Sequence, residues 1–165
     1  MENSFEAKAN IILSSLGEFL GIPDLQFEEE DNTCTLQFNE ALIIYLTFDE
    51  EKQELILHSL VDQLPEEDCA KMVEQLLEAN LFWAGTRRAT ISLERESRQV
   101  ILAKAIGACN AEGTLLSGES LAKAMVDLAE VNLHWKSFLK NGSEPPAREP
   151  EPVPLQATAS PSNMA

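Results

Sequence analysis

The chain has 165 residues with 28 acidic against 12 basic side chains, a net charge of −16 and a pI near 4.4. Such a surface repels nucleic acid and anionic membranes and favours basic or amphipathic partners. Apolar residues at 44% and charged residues at 24% suit one globular domain with a single sound core. No apolar run approaches the roughly 20 residues that span a bilayer, and Met1–Ser4 lack the basic start and apolar run of a signal peptide. Three widely separated cysteines, Cys34, Cys69 and Cys109, fit free thiols in a reducing cytoplasm better than a disulfide framework.

The first helix is predicted over residues 4–20. Asn3 caps it with Glu6 three residues on, and Phe5, Ala9, Ile12, Leu13, Leu16, Phe19 and Leu20 form one apolar stripe. Ile11 lies off that stripe; Gly21 and Pro23 stop the helix. From Leu25 to Val61 the period falls to two. Leu25–Phe27 and Cys34–Phe38 alternate around the turn-forming Glu28–Asn32, and Leu42–Phe48 and Leu55–Val61 follow, joined by Asp49–Lys52. Those last two strands are apolar on both faces, so one face can pack on helices while the other needs separate cover. Turns this short impose antiparallel pairing.

Pro65, followed by Glu66, Glu67 and Asp68, predicts a second helix over residues 65–79, with Cys69, Met72, Val73, Leu76 and Leu77 on its apolar face. Asn80-Leu81-Phe82-Trp83-Ala84-Gly85-Thr86 comes next. Three large apolar residues in a row cannot all face one core, whatever the local structure. A second hairpin is predicted over residues 89–104, with Ala89, Ile91 and Leu93 alternating, a turn at Glu94–Ser97, and Val100–Ala103 apolar on both faces. A third helix starts near Ser117 and aligns Leu121, Met125, Leu128, Asn132, Trp135 and Leu139. Beyond Asn141, six of the eight prolines fall between Pro145 and Pro161. That composition predicts a disordered tail over residues 141–165, after a folded domain over 1–140; no P-x-x-P spacing suggests an SH3 ligand. The fold class is α+β, in the order α-β-β-β-α-β-β-α, with an antiparallel sheet and three helices.

Little in the chain points to chemistry. Gly113 to Ser120 has the glycine spacing of a phosphate loop, but Glu119 stands where lysine would meet the phosphates. His58 and His134 stand at no metal-ligand or nucleophile spacing from the cysteines. The acidic runs at residues 28–31, 49–51 and 66–68 read as solvated turns; Leu36 and Leu42 occupy positions where a calcium loop needs Gly and Glu. Arg87, Arg88, Arg95 and Arg98 read as charges guarding an exposed strand edge. No cofactor, no metal and no enzyme activity are expected. What remains is more apolar surface than one small core uses, which points to a protein-binding module.

Several segments resemble the class I type III secretion chaperones, the Tir-chaperone (CesT-like) family. Leu16–Pro23 is similar to that family's end of the first helix, Asn32–Leu36 to its first sheet turn, and Leu55–Ser59 with Leu64-Pro65 to its third strand and the start of its second helix. Asn80–Thr86 is the most specific piece, and Trp135 sits where the last helix often carries an aromatic. The resemblance, over about residues 4–139, implies an acidic homodimer in the cytoplasm of a Gram-negative bacterium. It would hold the N-terminal segment of an effector in extended form and present it to the secretion ATPase and sorting machinery. It places the dimer interface at Met72, Leu76, Trp83, Ile101 and Leu102, and client grooves at Ile11, Phe27, Leu36, Ile44 and Leu46. Neither nucleic acid nor membrane insertion is expected. The alternative is an adaptor or regulator that binds a folded partner, for example a transcription regulator, through the same faces.

Overall fold

A computed structural model of the chain describes residues 5–28, 32–38, 42–67, 69–141 and, for the backbone alone, 157–159. Its order is α1 (Phe5–Leu20), β1 (Thr33–Phe38), β2 (Leu42–Asp49), β3 (Glu54–Gln63), α2 (Ala70–Asn80), a 3-10 turn (Leu81–Trp83), β4 (Thr90–Leu93), β5 (Gln99–Gly107), α3 (Gly118–Asn141) and β6 (Ala157–Ala159). The fold is the expected α+β arrangement. Its antiparallel sheet runs β4-β5-β3-β2-β1-β6.

The two-residue period sorts the strands cleanly. Cys34, Leu36, Phe38, Leu42, Ile44, Leu46, Leu55, Leu57, Val61, Val100 and Leu102 are buried on one face. Register puts Leu36 beside Ile44, Leu46 beside Leu57 and Ser59 beside Leu102. Over them lie the buried stripe of α1 and the long α3, which buries Leu121, Met125, Leu128, Trp135 and Phe138. Asn132, predicted on this apolar side, is fully buried; its Nδ2 donates to Ser59 Oγ and to the Leu60 carbonyl, both at 2.9 Å.

The glycines of the phosphate-loop look-alike serve packing. Gly113 has φ of +82°, and a Cβ on Gly118 would lie 2.2 Å from the Ser15 carbonyl oxygen, where α3 meets α1. Ser15 Oγ accepts the Gly118 N–H at 3.0 Å.

Two sequence boundaries move. Leu25–Phe27 is not a strand. Gly17, lacking a Cβ, admits Ile22 O and Leu25 against α1, and the segment packs inward, with Glu28 N–H to Thr33 O as its hydrogen bond toward β1. The second helix begins at Ala70 instead of Pro65. Arg98 takes the Leu64 and Pro65 carbonyls, which would otherwise accept the first helical N–H groups. Arg98 thus ties the β5 strand region to the loop before α2, and Arg87 pairs with Asp127 and Glu130 of α3. These two arginines join elements together and do not guard an edge. Within the tail read as disordered, Asn141 is the last residue of α3 and Ala157–Ala159 pair with β1; residues 142–156 and 160–165 lie outside the described residues.

Candidate client and dimer surfaces

The Asn80–Thr86 stretch divides by polarity. Asn80 Nδ2 donates to the Ile91 carbonyl at 3.0 Å while Asn80 Oδ1 accepts the Ile91 N–H at 2.9 Å, clamping the end of α2 to β4. Trp135 Nε1 donates to the Gly85 carbonyl at 3.0 Å, and Thr86 is fully buried. At Gly85 a Cβ would come within 2.9 Å of Ala79 Cβ and 3.3 Å of the Trp135 ring, so only glycine fits this corner. With both ends pinned, the middle is pushed outward: Leu81, Phe82 and Trp83 are 59, 86 and 50% exposed. Phe82 and Trp83 also hold φ of +53° and +55°, a left-handed conformation that costs a bulky L-residue about 1–2 kcal/mol. Leu77 on α2 and Leu93 on β4 are exposed as well. Of the residues assigned to the dimer interface, Trp83 is on this surface and Met72, in the first turn of α2, is half-buried against the core. Ile101 is half-buried on the outer sheet face, whereas Leu76 and Leu102 lie in the subunit's own core, Leu102 on the strand face that the helices cover.

The outer sheet face is a second apolar surface. Register aligns Thr35, Tyr45, His58, Ala103 and Thr90 across five strands, with Leu60 beside Ile101. Ile43 and Leu60 are exposed. Tyr45 stacks on His58 with ring centroids 5.0 Å apart and an interplanar angle of 16°; burial lowers the His58 pKa from its usual value. Along α1, Ile11 and Phe19 form a third exposed pair. A shallow groove between α1 and the 25–28 segment is lined by Asn10, Ser14, Leu25, Phe27 and Phe48. There Phe27 stands edge-on to Phe48 at 5.1 Å, and Phe48 edge-on to Phe5 at 5.9 Å.

The residues assigned to the client grooves differ in exposure. Ile11 is open and Phe27 half-buried, but Leu36, Ile44 and Leu46 are fully buried beneath the helices. The assignment fails for these three because alternate strand residues point to opposite faces. Ile43 and Tyr45, one position away, face outward, and periodicity alone could not say which set was which.

The thiols and imidazoles are not assembled into a site. Cys34 is in the core, where burial, helped by the charge of Glu28, raises its pKa from 9.0 to about 12. His58 occupies the opposite face of the sheet from Cys34. Among the described residues no group of His, Cys, Asp and Glu could hold a metal, and no helix is long and apolar enough to cross a membrane.

An α+β subunit that seals one sheet face with helices and leaves apolar side chains open on three surfaces is a protein-binding module. The particular class follows from comparison: the profile of the Tir chaperone protein (CesT) family matches residues 11–133, and the chain belongs to that family of type III secretion chaperones. Among solved structures, the crystal structure of the ExsC–ExsE complex is similar at 23% identity and a TM-score of 0.68, over 87% of this chain and all of that one. The HopA1–SchA chaperone–effector complex follows at 20% identity and 0.65, over 80% and 95% of the two chains. The heterodimeric ExoU–SpcU complex from the Pseudomonas aeruginosa type III secretion system is similar at 15% and 0.58, over 78% and 98%. At these identities the likeness establishes a shared fold. No curated protein matches.

Proposed function

We propose that this protein is a cytoplasmic homodimer that binds the N-terminal segment of one or more secreted effectors in extended form and delivers it to the export apparatus. The observation that carries this reading is the set of unpaired apolar surfaces on a subunit whose own core is already closed. The corner formed by Leu77, Leu81, Phe82 and Trp83 is the self-association surface, and the half-buried Met72 of α2 is assigned to it as well. Ile101 on the outer face of β5 is also assigned to it, while Leu76 and Leu102 are core residues of the subunit. The α1 surface at Ile11 and Phe19, the Phe27 groove, and Ile43 and Leu60 on the outer sheet face receive alternate side chains of the client. An extended chain suits them because it presents side chains at a period of two and can add to a sheet edge. A two-fold dimer doubles the track and raises the effective concentration of each contact. The similar structures that contain a chaperone with its effector, among them HopA1–SchA, support this reading by analogy of fold.

Co-expression with candidate effectors from the same genome tests it. The protein should co-purify with a partner and shield about the first hundred residues of it from protease, with that segment lacking a folded core of its own. Ile11→Asp and Ile43→Asp should each weaken capture while leaving the far-UV spectrum unchanged. A partner that is globular when bound would overturn the chaperone reading in favour of an adaptor.

A further inference from the structure

An antiparallel strand offers the backbone groups of alternate residues to opposite neighbours. Even-numbered residues along β5 serve β3: the Arg98 carbonyl just before the strand accepts the Leu64 N–H at 3.0 Å, and the Ala108 N–H just after it donates to the Gln53 carbonyl at 3.2 Å. Odd-numbered residues face β4, since the Glu94 N–H donates to the Gln99 carbonyl at 2.8 Å. β5 pairs with β3 as far as Gly107, but β4 reaches only Ala103, which stands opposite Thr90. The backbone groups of Ala105 and the Gly107 N–H therefore point past the end of β4, and both residues are exposed. Among the described residues nothing pairs with them on that side.

β4 stops there for a local reason. Continued register would put Arg88 opposite Ala105, yet Arg87 and Arg88 hold φ of +48° and +69°, which an extended strand does not contain. Arg87 is drawn to Asp127 and Glu130 of α3, and the Ala89 N–H turns back to the Thr86 carbonyl at 2.9 Å. The space left along the rest of β5 is a groove of about 700 Å³, lined by Trp83, Arg88, Thr90, Lys104, Ile106 and Ala124. Its charge is opposite to that of the molecule. The chain carries −16, but here Arg88 is exposed and Lys104 is half-buried, its Nζ donating to the Arg87 carbonyl at 3.3 Å. Neither has an acidic partner among the described residues.

A strand laid antiparallel in this groove sets one residue opposite Ile106, the next opposite Ala105 and the third opposite Lys104. Ile106 and Lys104 share a face of β5, so the first and third incoming side chains share it too. Cross-strand pairing favours an apolar residue beside Ile106 and a carboxylate beside Lys104. We propose that the far end of β5 takes a short extended segment of a partner polypeptide, antiparallel, with the pattern apolar–any–acidic read from its N-terminal end. Its backbone bonds to Ala105 and Gly107, and its carboxylate meets Lys104 and Arg88. That the partner is a secreted client rests on the proposed function; the opening and the charge of the groove do not.

A synthetic blocked peptide, Thr-Val-Thr-Glu, added at millimolar concentration to the full isotope-labelled chain, tests this by NMR. It should shift the Ala105 and Gly107 amides and slow their hydrogen exchange, with the β2 amides unchanged. Thr-Val-Thr-Lys should bind about tenfold more weakly, and added salt should weaken the glutamate peptide. Ala105→Pro removes a donor that no internal bond uses, at an edge position that tolerates proline. That variant should keep its far-UV spectrum and lose the peptide. Lys104→Glu with Arg88→Glu keeps the backbone edge and should reverse the preference in favour of the lysine peptide. No change at Ala105 with the glutamate peptide overturns the proposal, as does equal binding of the two peptides. An Ala105 amide already protected in the free chain also overturns it: protection that falls on dilution assigns the edge to a second copy, and protection independent of concentration assigns it to the chain itself. If Ala105→Pro fails to fold, the charge-reversed pair decides, and an unchanged preference there overturns the proposal. None of these readouts needs a client, so they stand or fall separately from the chaperone reading.

Discussion

Phe82→Asn separates what the exposed corner does for the subunit from what it does for assembly. Phe82 is 86% exposed, so it contributes little to the fold of its own chain. Burying the rest of such a ring is worth about 2 kcal/mol for each copy, about 4 kcal/mol across a two-fold interface, or about a thousandfold in Kd. At φ of +53° a phenylalanine is strained, whereas asparagine is among the residues that tolerate this conformation. The substitution should therefore leave the far-UV spectrum intact, leave the isolated subunit as stable or slightly more so, and weaken the dimer by about three decades. Sedimentation equilibrium over a range of concentrations reads the assembly. Thermal unfolding reads the linkage, because Tm rises with concentration for a dimer and should lose that dependence in the variant. A Phe82→Asn protein that dimerises as tightly as the wild type would refute the assignment of this corner. So would a wild type that stays monomeric at the highest concentration measured.

Asn132→Ala should lower stability by about 2–3 kcal/mol, because it strips the buried Ser59 hydroxyl and Leu60 carbonyl of the Nδ2 donor. An unchanged urea midpoint would contradict that. Gly118→Ala places a methyl against the Ser15 and Leu16 backbone, at 2.2 and 2.6 Å, so α1 and α3 must separate. A loss of about 1–3 kcal/mol or more is expected by chemical denaturation. Thiol reagents at neutral pH should spare Cys34 in the folded chain, while Cys69 and Cys109, both partly accessible, react; rapid labelling of all three would contradict its burial. The Cys34 thiol is raised from 9.0 to about 12, so its contribution to stability is complete below pH 9 and is lost as pH climbs from 9 through about 12. A Cys34→Ala variant should show a flatter decline across that window. Trp135→Phe removes both the Nε1 donor to Gly85 and part of the buried indole, and should cost about 2–4 kcal/mol by urea titration and loosen the corner that carries Phe82.

Local rules made much of the molecule legible. The 3.6-residue stripe of α1, the alternation in β1 and β4 and the serine start of α3 each follow from contacts within a few residues. The Asn80–Thr86 motif was readable as a place where three apolar residues could not share one core. Which of its residues are pins and which are exposed was not, because the pins are partners far along the chain: Ile91 for Asn80 and Trp135 for Gly85. The start of α2 was misplaced for the same reason. Pro65 and the acids after it look like the first turn of a helix until Arg98, 33 residues later, takes the Pro65 carbonyl. The buried Leu36, Ile44 and Leu46 show the limit of periodicity, since both faces of β2 are apolar and the pattern has no sign.

The amino-acid order alone settles that this chain forms helices over an antiparallel sheet, three of them among the described residues, and that it carries more apolar surface than one subunit can hide. Those properties depend on residue type and near-neighbour spacing. Only the tertiary structure decides which side of the sheet stays open, that Phe82 and Trp83 face outward, and that Ala157–Ala159 come to rest on β1. Each of these depends on groups brought together across the fold, where packing and hydrogen-bond geometry choose between arrangements that local propensity leaves equal.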